Sequence, residues 1–291
     1  MKILILGASG MLGNAMLKVF LEKSDLIVYG TVRGDSSSKN NNFRSESSRI
    51  LTNVDVLADN DLLRVMAEVK PQVVVNCIGL VKQLAHVNDP LIALPINSLL
   101  PHKLALICTA VGSRLVHVST DCVFSGKKGM YLETDEPDAT DLYGKSKQLG
   151  EVTQKKNVIT IRTSIIGHEV SGCRSLIDWF LSQSGSVNGY NNAIFSGLPT
   201  YELARVIRDF IIPRPELFGL YHVSADPIDK YSLLKLVKDV YEKDIQILQD
   251  SSYVVDRSLV STKFRNKVGY SPDNWLQLIK LMNEYFKKEV S

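Results

Sequence analysis

The stretch that decides the fold is KILILGASGMLGNAMLKVFLE, residues 2–22. After Lys2 its first residues are continuously apolar and partly β-branched, which is typical of a strand buried on both faces of a parallel sheet. Three glycines follow at intervals of three residues, at Gly7, Gly10 and Gly13. Apolar side chains then recur at helical spacing, at Met16, Leu17, Phe20 and Leu21. The stretch therefore predicts a strand, a glycine turn and a helix in immediate succession.

The glycine turn is suited to a dinucleotide cofactor. Glycines permit a tight turn and a close approach of backbone amides to a pyrophosphate, and the positive end of the following helix favours the anion. The spacing Gly-x-x-Gly-x-x-Gly differs from the generic Gly-x-Gly-x-x-Gly, but the strand before it and the helix after it favour the same function over a bare turn. The residues expected to contact the cofactor are Gly7, Ser9, Gly10, Met11, Leu12 and Gly13.

The end of the second predicted strand, residues 26–32, bears on the choice of cofactor. Proteins that prefer NAD usually carry an acidic residue there, because it binds the ribose 2′-hydroxyl. This chain has Arg33, whose guanidinium could bind a 2′-phosphate, although an arginine exposed at a strand end is the simpler alternative. We therefore predict NADP, with NAD as the alternative because Asp35 could still bind a ribose.

Strands and helices continue to alternate after a Ser- and Asn-rich loop at residues 35–49. The further predicted strands cover residues 51–56, 73–77, 114–119 and 159–166, and the predicted helices cover residues 59–70, 97–111, interrupted near its start by Pro101, and a segment opened by Tyr143. This alternation predicts an α/β fold with a doubly wound parallel (Rossmann) sheet over residues 1–165. Residues 166–291 have a looser pattern and are predicted to form a smaller, mixed α/β substrate lobe, which could interleave with the first domain.

Candidate cofactor residues lie at the carboxyl ends of two further strands, the edge at which open parallel sheets bind ligands. Asp55 and Val56 close the third strand, where a carboxylate and a backbone group could bind adenine. Cys77, Ile78 and Gly79 follow the fourth strand, and their small or apolar side chains suit a backbone that passes beneath a nicotinamide ribose. A simple strand-to-loop turn is the alternative for these three residues.

The stretch from Ser119 to Lys147 holds groups that could serve one proton transfer. Ser119 and Thr120 follow the fifth strand, and Tyr143 and Lys147 are four residues apart on one face of the predicted helix. A phenol has a pKa of about 10, and an adjacent cation lowers it. The pattern therefore predicts Tyr143 as a general acid assisted by Lys147. The Tyr-x-x-x-Lys spacing alone also arises by chance on solvated helices. The glycine turn upstream favours the functional interpretation.

Composition argues against several other classes of function. Lys plus Arg number 34 and Asp plus Glu 31, without a basic cluster, so nucleic acid is not an expected partner. The four cysteines lack metal-ligand spacing, which predicts reduced thiols and no metal site. The N-terminal apolar run stops at Gly7, and no later segment was expected to approach a membrane span. We therefore expect a cytoplasmic protein with no membrane partner.

Three motifs in order resemble those of the extended short-chain dehydrogenase/reductases, and more closely those of the dTDP-4-dehydrorhamnose reductase group, which reduces nucleotide-linked 4-keto sugars. They are the glycine turn, Ser119-Thr120-Asp121-x-Val123-Phe124-x-Gly126, and Tyr143-Gly144-Lys145-Ser146-Lys147 with Gly150-Glu151. Asn97 matches the position of a structural asparagine in this group. Arg162 lies in the strand that borders the sugar nucleotide. The resemblance covers nearly the whole chain.

The resemblance implies NADPH-dependent reduction of the 4-keto group of a dTDP- or UDP-linked sugar, of the 6-deoxy or 2-acetamido-6-deoxy type, for surface polysaccharide precursors. It implies that Thr120, Tyr143 and Lys147 are catalytic and that Asn97, Tyr143 and Lys147 also belong to the cofactor site. The substrate contacts that it implies are Lys82, Ser119, Asp121, Cys122, Phe124 and Arg162. The expected partner is the nucleotide sugar, and a homodimer is left open.

Two departures from the group's pattern bear on the substrate. Cys122 stands where the group commonly has a tyrosine, and Asn76-Cys77-Ile78-Gly79 replaces an Asn-Ala-Ala-Ala-Tyr type of turn. An epimerase or dehydratase of the same fold is one alternative, although a dehydratase would be expected to carry a glutamate at position 122. A non-catalytic NADP-binding regulatory subunit is the other, and the intact Thr120, Tyr143 and Lys147 count against it.

Overall fold

The computed structural model describes residues 1–34, 49–81 and 85–290. Asp35, Lys82 and nearly all of the predicted loop at residues 35–49 lie outside the described residues. The strands of the first half are β1 Lys2–Leu6, β2 Ile27–Thr31, β3 Ile50–Leu51, β4 Val73–Asn76, β5 Arg114–Thr120, β6 Val158–Thr163 and β7 Ile165–Ile166. Those of the second half are β8 Ser186–Tyr190, β9 Ala193–Phe195, β10 Leu198–Pro199, β11 Gly219–His222, β12 Ile228–Asp229, β13 Gln246–Asp250 and β14 Val255–Asp256.

The helices alternate with these strands along the chain. The α-helices are α1 Met11–Leu21, α2 Asp59–Val69, α3 Pro90–Ala93, α4 Leu100–Ala110, α5 Leu142–Leu149, α6 Leu176–Ser182, α7 Thr200–Val206, α8 Lys230–Val240, α9 Thr262–Val268 and α10 Trp275–Val290. Two π-helical segments, Leu94–Leu99 and Ile207–Ile211, continue α3 and α7, and 3-10 turns occur at Ala85–Asn88 and Asp121–Val123.

The central sheet has seven strands in the order β11-β6-β5-β4-β1-β2-β3. β1 pairs in parallel with β2 on one side and with β4 on the other, and β4 pairs in parallel with β5. The chain thus winds outward from β1 in both directions, which leaves a switch point between β1 and β4 where ligands of such sheets bind. The prediction of a doubly wound α/β fold is confirmed.

The core explains why the apolar stretches take these positions. Ile3, Leu4 and Ile5 of β1 are fully buried, as expected for a strand covered on both faces. One continuous cluster joins β1, β4 and β5 to the apolar faces of α2 and α4, through Leu4, Val74, Leu115, Leu62 and Leu104. Burial of the apolar surface of these side chains is the main stabilising contribution to the first half of the fold.

The third strand is shorter than the prediction of residues 51–56. β3 ends at Leu51, and Asp55 lies in the approach to α2. Its backbone amide donates to Oδ2 of Asp61, and its own Oδ1 accepts from the amide of Leu57. Such local side-chain bonds compete with the sheet ladder, so the chain leaves the sheet early.

The helix predicted for residues 97–111 begins seven residues earlier, at Pro90, and Pro101 does not interrupt it. The side chain of Asp89 caps its start by accepting from the amide of Leu91. Pro95 and Pro101 lie inside the continuous helical run, at the second positions of the π-helical segment Leu94–Leu99 and of α4. The hydrogen bonding changes from the α to the π form between them, next to the amides that proline lacks. The sequence signal missed was the Asp89-Pro90 pair, a capping residue followed by proline at the first helical position.

The helical run Pro90–Ala110 is the one helix among the described residues that is long and apolar enough to cross a membrane, with a mean hydropathy of 1.5. No helix of this length and hydropathy was predicted from the sequence. The helix packs four side chains into the core cluster beside the sheet, namely Leu100, Leu104, Ala105 and Cys108. A core helix passes the same test of length and composition, so the property is weak evidence for a membrane span.

The strand predicted for residues 159–166 is split at Ser164 into β6, which joins the large sheet, and β7, which pairs with β10. The polar and aromatic stretch at residues 188–196, for which no element was predicted, contains most of β8 and all of β9. β8 pairs in parallel with β13, and β9 pairs with β12 and β14. Partners distant in sequence therefore decide these short strands.

The chain divides into two compact units that alternate along the sequence. The first consists of Met1–Ser119, Asp141–Ile161 and Ala204–Leu220. The second consists of Thr120–Thr140, Arg162–Leu203 and Tyr221–Ser291. The first unit thus includes a stretch beyond residue 165, the boundary predicted from sequence.

Candidate active site

The glycine turn between β1 and α1 is held by close backbone approaches. Gly7 has φ of 83°, which an L side chain rarely adopts, and its amide donates to Oγ1 of Thr31 on β2. A Cβ on Gly13 would lie 2.1 Å from the carbonyl oxygen of Gly7, so the first turn of α1 needs a glycine there. Gly10 occupies the N-cap, and its lack of a side chain leaves the following amides uncapped among the described residues. The turn therefore fits the pyrophosphate of a dinucleotide.

The residues predicted at the adenine end lie beyond β2 and β3. Arg33 is exposed two residues after β2, as a contact with a 2′-phosphate would require. Asp55 uses one carboxylate oxygen to accept from Leu57, and Val56 is buried. Their contacts with a cofactor stay predictions.

The turn after β4 meets the helix that carries the candidate catalytic lysine. Oδ1 of Asn76 accepts from the amide of Ile78, and Oδ1 of Asn97 accepts from the amide of Leu80. A Cβ on Gly79 would lie 3.4 Å from Oδ1 of Asn97 and 3.6 Å from Nζ of Lys147. The structure thus brings together Gly79, Asn97 and Lys147, which are far apart in sequence.

Helix α5 presents Tyr143 and Lys147 and is fixed at both ends. The side chain of Asp141 caps it by accepting from the amide of Gly144. Ser146, the residue before Lys147, accepts from Nδ2 of Asn97 through Oγ and from Oγ of Ser98 through its carbonyl. These bonds attach α5 to the π-helical segment Leu94–Leu99, so the positions of Tyr143 and Lys147 are set by packing and not by a mobile loop.

Lys147 is a buried cation, with 5% of its surface exposed. Nζ donates to the carbonyl oxygen of Val118 on β5, at 2.9 Å. Burial lowers the pKa of Lys147 to about 8, because water no longer stabilises the ammonium, and the carboxylate of Glu151 opposes that shift. The pKa of Lys147 therefore lies close to neutral pH.

The last two residues of β5, Ser119 and Thr120, have their hydroxyl groups already engaged. Ser119, predicted to contact substrate, donates through Oγ to Oε1 of Glu151 at 2.8 Å. Thr120 accepts from the amide of Cys122 and donates to Oδ1 of Asp121 at 3.2 Å, and so caps the short turn Asp121–Val123. A substrate carbonyl would have to take the proton of Thr120 from Asp121.

The second unit contains a cavity of about 310 Å³. Two of the predicted substrate residues, Asp121 and Cys122, line it. Its other charged side chains are Lys230 and Arg257, and its aromatic side chains are Trp179, Tyr190, Phe195 and Tyr253. Sequence reasoning missed all six, since they belong to no motif; the one signal was the polar and aromatic composition of residues 188–196.

The ionisable side chains that line this cavity carry more positive than negative charge. Burial raises the pKa of the Asp121 carboxyl, and the charges of Arg257 and Lys230 oppose that rise. Burial lowers the pKa of Lys230 to about 8, and its Nζ lies 4.2 Å from the centroid of the Phe195 ring. Two cations against one carboxylate suit an anionic ligand, and the aromatic rings suit a base or a sugar face.

Phe124 and Arg162, two further predicted substrate residues, do not line this cavity. Phe124 is fully buried and stacks on Tyr131, with ring centroids 4.0 Å apart. Arg162, also buried, lies 5.0 Å from the centroid of Phe124, and its Nη1 is 3.5 Å from Nε2 of His222. Neither side chain lines the cavity. Lys82 lies outside the described residues.

The four cysteines are free thiols. Cys77, Cys108, Cys122 and Cys173 form no disulfide. Burial raises the pKa of Cys77, Cys108 and Cys122 to about 12, so these thiols stay protonated. No group of three or more metal-ligating side chains occurs in the part of the chain that the structure describes.

Comparison with known proteins identifies relatives for most of the chain. Bovine (Bos taurus) methionine adenosyltransferase 2 subunit beta is 26% identical over 256 residues, which cover 82% of this chain and 72% of that protein. The spore coat polysaccharide biosynthesis protein SpsK of Bacillus subtilis is 35% identical over 139 residues, 46% of this chain and 48% of SpsK. The crystal structure of dTDP-4-dehydrorhamnose reductase from Bacillus anthracis, in complex with NADP, superposes with a TM-score of 0.78 at 19% identity, covering 98% of this chain and 99% of that one.

The structural likeness, at its low identity, shows the fold. The family model described as RmlD substrate binding domain matches residues 1–254, well over half of the chain. The chain therefore belongs to the RmlD substrate binding domain family.

Proposed function

We propose that the protein is an NADPH-dependent reductase that acts on the 4-keto group of a dTDP- or UDP-linked sugar, of the 6-deoxy or 2-acetamido-6-deoxy type. Its product would serve as a precursor of surface polysaccharide, made in the cytoplasm. Family membership and the reductase and polysaccharide proteins among its relatives support the class of reaction. NADP as the preferred cofactor agrees with the cofactor held by the Bacillus anthracis reductase. Fold and family alone do not establish an activity, so the proposal rests on the site.

One observation carries the proposal, namely the convergence of Lys147 on the turn after β4. Nζ of Lys147 lies close to Gly79 and Asn97, at the turn to which we assign the nicotinamide ribose. Tyr143 stands one helical turn before Lys147 on the same helix face. A cation beside the cofactor and a phenol beside the cation are what protonation of an alkoxide requires.

The roles of the chain's own residues follow from this placement. NADPH, when bound along the glycine turn, supplies the hydride that adds to the carbonyl carbon. Tyr143 donates its phenolic proton to the oxygen, which completes the two-electron reduction of ketone to alcohol. The ammonium of Lys147 stabilises the phenolate left behind and so makes Tyr143 a stronger acid. Thr120 would donate a hydrogen bond to the carbonyl oxygen and stabilise the charge that develops there.

Substrate selection is assigned to the cavity of the second unit. Lys230 and Arg257 would bind the phosphate groups of the nucleotide, and the aromatic side chains would pack on its uncharged parts. Cys122 lines this cavity and is much smaller than the tyrosine common in the resembled group, which leaves room for a substituted sugar. These assignments explain why the second unit differs most from a simple dinucleotide-binding fold.

The proposal is tested by offering purified protein and NADPH a panel of 4-keto sugars linked to dTDP or UDP. Consumption of NADPH, with an equal amount of alcohol product identified by NMR, is the expected result. NADH in place of NADPH should give a lower kcat/KM, because Arg33 has no 2′-phosphate to bind. Absence of NADPH oxidation with every substrate would contradict the proposal.

A second candidate follows from the bovine relative, whose name describes a subunit of an adenosyltransferase and whose match spans 82% of this chain. On this alternative the chain binds NADP without turnover and regulates a partner enzyme. NADP binding measured by calorimetry, together with no oxidation of NADPH, would favour it. The intact pair of Tyr143 and Lys147 favours the reductase.

A further inference from the structure

Lys147 requires a source of stabilisation, because a buried ammonium readily loses its proton. Its side chain is almost fully removed from water, and its pKa falls to about 8. The bond from Nζ to the carbonyl of Val118 orients the ammonium but supplies no full negative charge. A charge of opposite sign nearby would keep Lys147 protonated at neutral pH.

Glu151 lies four residues after Lys147 and just beyond the end of α5. Gly150, which ends that helix, packs so closely that a Cβ would lie 2.0 Å from the carbonyl oxygen of Asn97. After this close contact the chain returns to β5. There Oγ of Ser119 donates to Oε1 of Glu151 at 2.8 Å. The carboxylate is thereby held beside the strand whose neighbouring carbonyl, that of Val118, binds Lys147.

His117 on β5 is a further titratable neighbour of Lys147. Oδ1 of Asn76 accepts from a backbone amide, so its Nδ2 must donate to Nδ1 of His117, at 3.2 Å. His117 is fully buried, and burial and the charges of Lys147 and His102 hold its pKa well below the ordinary range. The ring is therefore neutral with its proton on Nε2, and it adds no charge beside Lys147.

We propose that Glu151 is a positioning residue for Lys147, held in place by the hydroxyl of Ser119, and that its carboxylate keeps the buried ammonium charged at neutral pH. Ser119 then acts through Glu151 and not by contact with substrate. The coupling between Glu151 and Lys147 belongs to the fold and does not depend on turnover. Its consequence for the acidity of Tyr143 rests on the proposed reductase function.

The coupling is measured directly by the pH titration of the Lys147 Nζ signal in protein labelled with 15N-lysine, with the signal assigned by its loss in Lys147→Met. The unmodified protein should titrate with a pKa of about 8. Glu151→Gln should titrate about one unit lower, the scale of a nearby opposite charge. Glu151→Asp, which restores the carboxylate, should return most of the difference.

Two further variants keep the test decisive. Glu68→Gln removes the same charge from an exposed side chain of α2 and should leave the Lys147 titration unchanged. Ser119→Ala keeps the carboxylate but removes its hydrogen bond, so it should lower the Lys147 pKa by less than Glu151→Gln does, and it serves if Glu151→Gln does not fold. A Lys147 pKa that is the same in both Glu151→Gln and Ser119→Ala as in the unmodified protein overturns the proposal.

Kinetics separate this proposal from the proposed function. The ratio of kcat between unmodified protein and Glu151→Gln should be near one at pH 6 and rise to about tenfold above pH 8, because one pKa unit is a tenfold change in protonation. A merely structural role would give a ratio independent of pH. A shifted Lys147 titration in a protein that oxidises no NADPH would uphold the coupling and refute the reductase.

Discussion

Lys147 and Lys230 show at the scale of single residues how burial makes an ordinary side chain chemically useful. Burial removes each ammonium from water and lowers its pKa to about 8. A carboxylate opposes this fall in pKa, Glu151 for Lys147 and Asp121 for Lys230. Both lysines are charged below this pH and lose their charge above it. Reduction should therefore weaken as the pH rises past 8, through loss of the cation beside Tyr143 and of one cation in the cavity.

Replacement of Tyr143 by phenylalanine tests the proton donor. Tyr143→Phe should lower kcat by about 100-fold or more, the scale of general acid catalysis, while NADPH binding stays within a few-fold. Tyr285→Phe on α10 removes the same hydroxyl from another helix and should leave kcat unchanged. Stopped-flow oxidation of bound NADPH measures the effect, and turnover close to normal in Tyr143→Phe would exclude the mechanism.

Replacement of Lys230 by methionine tests the cavity. Lys230→Met should raise KM for the nucleotide sugar by about tenfold or more, because a charge-assisted hydrogen bond to phosphate is lost, and should change the Kd for NADPH little. Lys235→Met, on an exposed position of the same helix, is the matched control. An unchanged KM in Lys230→Met would remove the cavity from the substrate site.

At the scale of secondary structure elements, the elements of the candidate site depend on close contacts between backbones. The turn from β1 into α1, the attachment of α5 to the π-helical segment Leu94–Leu99, and the exit of α5 at Gly150 all need a glycine or a buried hydrogen bond at the contact. A helix attached in this way can hold Tyr143 and Lys147 to within the tolerance that catalysis requires. The rigidity of these contacts makes small additions costly.

Gly13→Ala is predicted to be one such addition. Its Cβ would lie 2.1 Å from the carbonyl oxygen of Gly7, so α1 must shift away from the turn. We expect a loss of about 1–3 kcal/mol in the free energy of unfolding, the usual cost of overpacking, and a large loss of NADPH affinity. Urea denaturation and calorimetry measure the two effects.

Gly10→Ala is the matched control for the fold. The nearest atom to its added Cβ is 3.5 Å away, an ordinary contact, and Gly10 has φ of −80°. Its free energy of unfolding should change by less than about 0.5 kcal/mol. Equal losses of unfolding free energy in Gly13→Ala and Gly10→Ala would show that the close approach of Gly13 to the carbonyl of Gly7 is not what excludes a side chain from the turn.

At the scale of the whole molecule, sequence-distant segments are joined by buried polar contacts as well as by the core. Arg114 begins β5, and its guanidinium donates to the carbonyl oxygens of Ile211 and Leu217, about a hundred residues further on. This arginine is almost fully buried, and it satisfies carbonyls at the end of the π-helical segment Ile207–Ile211. It ties the stretch Ala204–Leu220 into the first unit.

Arg114→Met should therefore destabilise the protein by about 2 kcal/mol or more, because buried carbonyls lose their donors. Arg64→Met is the matched control, since the ion pairs of Arg64 among the described residues, with Asp61 and Glu68, are exposed and should contribute less than about 1 kcal/mol. Thermal unfolding of both variants measures the difference. A stable Arg114→Met would show that packing alone holds Ala204–Leu220 in place.

The elements predicted best were those whose pattern is local. β1, α2 and β4 appear within one residue of their predicted limits, and α5 begins one residue before its predicted start at Tyr143. Apolar period, glycine and proline signals and capping residues lie within or next to these elements. β8 and β9 were not predicted, and β3 was predicted too long, because strands of two to five residues depend on partners elsewhere in the chain. The early start at Pro90 was a missed local signal.

The sequence by itself determined the doubly wound fold, the glycine turn, and the pairing of Tyr143 with Lys147, since each follows from spacing over a few residues. Only the tertiary structure decided that Ser119 binds Glu151, that Lys147 is buried, and that Lys230 and Arg257 share a cavity with Asp121. Residues that are 32 to 136 positions apart meet in these contacts. Their juxtaposition and their pKa values arise from packing and exclusion of water, which no local pattern encodes.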